Sequence, residues 1–214
     1  IVSLIPFQRI KQLIYSKCFG FKIGKKVKIG FSYIEAREAV IDNDVVIEHL
    51  NVFKGINSLY IGKGTVIHRN NLFSGETKLP GTVCKLYIGE HSTIGVGHYM
   101  DLTDEIHIKN NVVFAGRKTE VWTHGFDILR QRIQAPVYVG NNCYIGSGTK
   151  INLGVEISDN VIVGMGSVVS KSLLEEGFYA GGPAKKIHSK VVFCEDSQHK
   201  VICKEDNTIF FKKI

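Results

Sequence analysis

VGNNCY (139–144), IGSGTK (145–150), INLGVE (151–156), ISDNVI (157–162) and VGMGSV (163–168) follow one another without a gap, and Val169 opens the next six. Every first position is Ile or Val, and four of the five second positions are Gly or Ser. The fifth positions, Cys143, Thr149, Val155, Val161 and Ser167, are all small or β-branched. A register of six fits neither the helical period nor the two-residue alternation of a half-buried strand. It fits a coil in which each six supplies one short strand and one turn, with the aliphatic side chain pointing into a shared core. The prediction is an all-β solenoid of hexapeptide repeats, each coil burying its neighbour.

The same register runs outward to Ile23-Gly24 and Ile29-Gly30, with an imperfect unit at Glu35 and then Ile41-Asp42 and Ile47-Glu48. It shifts by two near Leu59 and resumes at Ile61, Ile67 and Phe73, then at Ile88, Ile94 and Met100, and at Ile108 and Phe114. The expected organisation is a repeat domain over 21–187, interrupted by loops at 74–87 and 120–138. Loops thrown out of a repeat array lie on one side and carry function. Residues 1–20 form a short amphipathic helix, with Leu4, Ile5, Phe7, Ile10, Leu13 and Ile14 on one face and Arg9, Lys11 and Lys17 on the other. Its expected task is to cap the open first coil; the second reading is contact of residues 1–19 with an anionic membrane surface. A short helical segment is expected at 172–176, and 188–214 reads as a small C-terminal β extension of two or three strands.

The chain has 214 residues and a net charge of +7, spread along its length. No run of Lys and Arg interleaved with aromatics marks a nucleic-acid face, so the charge points to phosphates on a small molecule. No stretch approaches the roughly 20 apolar residues of a spanning helix. Five cysteines without a CxxC pair argue against a disulfide framework and for a reducing, cytoplasmic compartment. No secretory leader is visible. The chain opens at Ile1 rather than Met, so its start is expected to have been trimmed.

Together, the repeats, Trp122-Thr123-His124-Gly125 and Gly181-Gly182-Pro183-Ala184-Lys185 resemble the hexapeptide-repeat acetyltransferases. Within that family they are most similar to the bacterial enzymes that O-acetylate sugars and surface polysaccharides. The resemblance covers about 23–190 and implies a left-handed parallel β-helix, a homotrimer, acetyl-CoA as donor and an active site between subunits. Two turns depart from the family pattern: Gly182 stands where Asn is usual, and Leu153 where Pro is usual.

Acyl transfer to a sugar hydroxyl needs a base for the departing proton and donors for the oxyanion. His124 matches the family's catalytic histidine. Asp127, Glu120 or a backbone carbonyl are the candidates to orient its ring. Trp122 and Phe126 are candidates to stack on substrate. Gly146, Ser147, Gly164, Met165, Gly166 and Gly182 offer small coil corners for a pantetheine arm, and a backbone N–H near Gly146 and Ser147 is the expected oxyanion donor. Lys150, Lys171, Lys185 and Lys186 are candidates for the CoA phosphates. His91, His98 and His107 lie near repeat boundaries, but their spacing does not match a three-histidine zinc site, and no metal is required. Sugar O-acetylation is the leading function. N-acetylation of an amino sugar or sugar nucleotide and a non-catalytic β-helical assembly module are the alternatives.

Overall fold

The computed structural model describes Val2, Ile5, residues 7–189 and two short strands, Val192–Cys194 and Phe210–Lys212. Parallel strands of mostly two to four residues stack coil upon coil in three rows. The first row carries Tyr33, Val52, Leu72, Tyr99, Glu120, Lys150 and Val168 in register. The second carries Ile23, Ile41, Ile61, Ile88, Ile108, Val139 and Ile157. The third carries Ile29, Ile47, Ile67, Ile94, Phe114, Ile145 and Val163. These last two sets are the aliphatic first positions of the sixes, and nearly all of them are fully buried. Two-residue strands cannot hold themselves; each gains its stability when the next coil covers its aliphatic side chain, at about 1.5–3 kcal/mol per buried Ile or Val. The first row fills its interior with larger groups, including the stacked rings of Phe53 and Phe73 at 4.5 Å. Parallel strands in this curled arrangement fit a left-handed β-helix.

The corner that enters the first row is held by polar side chains, each accepting a backbone N–H one coil on. Ser32 Oγ takes the N–H of Asn51, Asn51 Oδ1 that of Asn71, and Asn71 Oδ1 that of His98. His98 Nδ1 then takes that of Thr119 at 3.0 Å. These corner N–H groups are buried, and each would cost roughly 1–3 kcal/mol if left unpaired.

Helix α1 (Gln8–Cys18) covers the first coil, but with the opposite face from the one expected. Gln8 brackets Ile29 like a neighbouring strand, accepting its N–H and donating to its carbonyl, both at 3.0 Å. Lys11 is buried and donates to the carbonyls of Ile29 at 2.7 Å and Gly30 at 3.1 Å, while Gln12 donates to Val27. Burial holds the Lys11 ammonium below its ordinary pKa. An end coil leaves a row of unpaired backbone groups, so the polar face is what it needs. Phe7, Ile10 and Leu13 therefore point to solvent. Leu4 lies outside the described residues.

Residues 172–176 are not helical. Leu173 bridges Ile157 in parallel and continues the second row, because an aliphatic side chain there completes the last coil. The solenoid ends where Lys185–His188 pairs antiparallel with Gly177–Ala180. Beyond Ser189 only the parallel pairing of Val192–Cys194 with Phe210–Lys212 is described; the rest of the expected tail strands, including Val201, Ile202 and Cys203, lie outside the described residues. Lys85–Ile88, Glu120–Val121 and Val137–Val139 belong to the rows, so the two excursions are 75–84 and 122–136. Both leave from the same corner, between the first and second rows. They touch: Arg132 donates to the carbonyl of Pro80 at 2.6 Å, and Gln134 to that of Gly81 at 2.7 Å. No helix among the described residues is long and apolar enough to cross a membrane.

Candidate active site

The second excursion is an antiparallel hairpin, His124–Phe126 against Arg132–Gln134, closed by the turn 127–131. His124 stands at its base, directly after the row-one strand Glu120–Val121. Its Nδ1 lies 2.7 Å from Asp101 Oδ2. Asp101 ends the row-one strand one coil earlier and is buried. The same Oδ2 accepts the backbone N–H of Thr123 at 2.9 Å and of His124 at 3.1 Å. An oxygen already accepting from two N–H groups faces a donor, so Nδ1 carries the ring proton and Nε2 presents a lone pair. The Thr103 hydroxyl, 3.1 Å from the same ring nitrogen, lies 2.9 Å from Asp101 Oδ1 and completes the clamp. One quarter of the His124 side chain remains exposed. This ring is fixed in place with its free nitrogen toward solvent, the arrangement a general base requires.

Asp127 is not the orienting group. Its Oδ1 accepts the N–H groups of Leu129 and Gln131, both at 2.8 Å, so it builds the hairpin turn. Glu120 is not either: its Oε2 takes Trp122 Nε1 at 3.3 Å and Lys150 Nζ at 3.4 Å. Asp101 and Thr103 were missed because no motif marks them. The signal was register: Met100 pairs with Val121, so a carboxylate at 101 stacks beneath the residues leading into His124. Trp122 and Phe126 flank the His124 ring edge-on, at 6.2 and 5.9 Å between centroids. Trp122 also leans on Tyr99, whereas Phe126 is largely exposed.

The small-residue candidates gather elsewhere. Gly146, Ser147, Gly164, Met165 and Gly166 form a column at the corner entering the first row, and Gly182 joins it through contact with Val168. Gly148 and Gly166, at φ +70° and +71°, turn this corner in the left-handed region, and neither has a heavy atom near where a Cβ would stand. The corner is thus open at these two glycines, while Gly146 and Gly164 are packed against the next coil. Met165 projects from the column at 80% exposure. Of the backbone donors there, Gly146 and Gly148 are already bonded to the carbonyls of Val163 and Arg117. This column and His124 lie at opposite ends of the same strand row, so one chain does not bring them together.

Nor do the lysines act as one group. Lys150 projects from the outer face of the row toward Glu120, and Lys186 is paired with Glu175 at 2.7 Å. That hydrogen bond raises the Lys186 pKa above its ordinary value. Lys185 is exposed beside the glycine column, while Lys171 is exposed at the hairpin end of the row. His91, His98 and His107 are separated: His98 is interior, His107 stacks on Tyr87 on an outer face, and His91 sits at a corner. Among the described residues no group of three or more His, Cys, Asp or Glu is placed to hold a metal ion.

Residues 136–171 match the family model described as hexapeptide repeat of succinyl-transferase. The galactoside O-acetyltransferase of Escherichia coli (strain K12) is 44% identical over 52 residues, 24% of this chain and 26% of that protein. A putative acetyltransferase of Saccharomyces cerevisiae is 33% identical over 110 residues, 48% of this chain and 55% of that one. The chain thus matches about a quarter to about half of the length of these curated relatives. The solved structure of the polySia-specific acetyltransferase NeuO superposes with a TM-score of 0.61 at 22% identity, covering 85% of this chain and 87% of that one. The chain thus carries the hexapeptide repeat over 136–171 and shares the fold of that solved structure.

Proposed function

We propose that this protein transfers an acetyl group from acetyl-CoA to a hydroxyl of a sugar or glycan, with His124 as the general base. The observation that carries the reading is the buried Asp101 carboxylate 2.7 Å from His124 Nδ1, which leaves Nε2 as the available lone pair at an open corner. In the reaction Nε2 takes the hydroxyl proton as the oxygen attacks the thioester carbonyl. The C–S bond then breaks, and the imidazolium returns its proton to the departing sulfur. Asp101 stabilises the charged ring between these steps. Trp122 and Phe126 wall the acceptor, and Asp127 shapes the loop that carries Phe126.

The donor belongs along the glycine column, with Lys185 beside it for the phosphates. Because that column and His124 stand at opposite ends of one strand row, the reading requires a second copy to bring its column to this chain's histidine. A closed homotrimer of a three-sided left-handed solenoid does so three times over, without leaving an open contact.

The test is release of free thiol from acetyl-CoA across a panel of sugars and glycans, with product analysis to separate ester from amide. Acetyl esters formed by the native protein and lost in His124→Ala support the reading. Amide products would move it to N-acetylation of an amino sugar. Equal turnover by both proteins with a verified acceptor would overturn the assignment of His124. For the shared site, mixed oligomers of His124→Ala with Gly166→Trp should regain activity that neither variant has alone. Recovery that never exceeds the two separate variants would remove the shared site.

A further inference from the structure

We propose that the N-terminal helix docks the solenoid end-on to an anionic membrane surface. Helix α1 is amphipathic, yet its polar side is the buried one. Gln8, Lys11, Gln12 and Tyr15 face the first coil, where three of them bind backbone groups of Val27, Ile29 and Gly30. The opposite face holds Ile10 and Leu13, flanked by Phe7, and these are 47%, 58% and 66% exposed. Phe19, just past the helix, is half exposed as well. Among the described residues nothing packs closely over this apolar face at the end of the stack.

The charge around that face says what does. No acidic residue occurs before Glu35. Arg9 and Lys17 border the apolar side chains on the helix, and Lys22, Lys25 and Lys28 project from the first coil behind it, all exposed. Lys26 is also exposed and lies 3.9 Å from Asp44, which partly neutralises it. An exposed apolar strip flanked by cations is the pattern of a helix that rests at the boundary between headgroups and acyl chains. Another copy of this chain would have to bring a similar ring of cations against this one, so like charge disfavours a self-contact.

Four coil steps separate the first coil, which the helix caps, from the coil that carries the His124 hairpin, about 19 Å at the roughly 4.8 Å spacing of neighbouring strands. Docking therefore leaves that corner clear of the bilayer, and the inference stands or falls independently of the reaction proposed above.

The test is flotation of the full chain with vesicles of phosphatidylcholine alone and of phosphatidylcholine mixed with phosphatidylglycerol, at low and high salt. The native protein should float with the anionic vesicles at least about tenfold more than with the neutral ones, and salt should weaken the difference. Ile10→Glu combined with Leu13→Glu should lower that binding about tenfold or more, with an unchanged thermal melt because neither side chain takes part in the cap. Arg9→Gln with Lys17→Gln should lower it several-fold and flatten the salt dependence. Equal flotation with both vesicle types, or native-like binding by the Ile10→Glu/Leu13→Glu protein, would overturn the proposal. So would a drop in oligomer mass in that variant, which would show the face to be buried between copies.

Discussion

Two histidines one coil apart hold their ring nitrogens in opposite ways. At the interior corner, His98 is fully enclosed, and its Nδ1 accepts the Thr119 N–H, so its proton sits on Nε2. At the hairpin corner, His124 donates from Nδ1 to Asp101 and keeps Nε2 bare. Burial pushes the His98 pKa down to about 4, so that ring is a neutral structural acceptor in the place where the coils below use Asn71 and Asn51. The lesson is that imidazole takes its role from what faces each nitrogen: a backbone N–H makes one ring a strut, and a carboxylate leaves the other ring's Nε2 free for the role proposed above.

The comparison breaks first at His124. Replacing it with Ala should lower kcat by at least about a hundredfold, about 2.7 kcal/mol on the barrier, with little change in donor affinity. His124→Asn should be equally poor in the same steady-state assay, since it restores polarity without a titrating nitrogen. Asp101→Asn should cost roughly ten- to a hundredfold in kcat, because an amide can present its N–H to Nδ1 and favour the wrong tautomer. If that variant turned over within about twofold of native, the carboxylate would be a support for the Thr123 and His124 backbone only.

The other side of the comparison is a matter of stability. A folded pKa of about 4 lies below the ordinary 6.5, so between those values the unfolded chain takes up a proton at His98 that the folded chain refuses. The stability this site contributes is present above 6.5 and lost as pH falls toward 4. Between pH 7 and pH 5 the loss should be about 2 kcal/mol, read from denaturant melts at each pH. His98→Asn, which keeps an acceptor for Thr119, should flatten that dependence while leaving kcat near native. An unchanged slope in the variant would assign the pH sensitivity elsewhere. The smallest effect should come from Asp127→Asn: kcat within about twofold of native, since its Oδ1 contacts are backbone turns that an amide oxygen can also make. A loss as large as that of Asp101→Asn would return the orienting role to Asp127.

Much of this fold could be read from period alone. The aliphatic residue opening each six lies in the core at Ile29, Ile41, Ile61, Ile88, Ile108 and Ile145, because one inward position per strand is all that a coil of this width buries. The misreadings came where a residue answers to something other than period. The amphipathic pattern of residues 1–20 predicts a buried apolar side, yet an end coil presents unpaired carbonyls and N–H groups, and Gln8, Lys11 and Gln12 satisfy them. Ser172 to Glu176 has helical composition, but Leu173 is drawn into the last open place beside Ile157. Asp127 is near His124 in sequence and Asp101 is far from it. The hairpin turn claims the first, and coil stacking delivers the second.

What the sequence determined by itself is the repeat, its register, the places where loops leave it and the histidine on the second loop. These follow from residue type at fixed spacing, which acts locally. Tertiary structure alone decided which carboxylate meets His124, which histidine is sealed inside, which face of the first helix is covered, and that the glycine column and the hairpin stand at opposite ends of a strand row. Each of these depends on which residue of one coil lies over which residue of the next. That offset is set by how many residues each turn of the coil spends between one strand and the next, so it appears only once the coils are stacked.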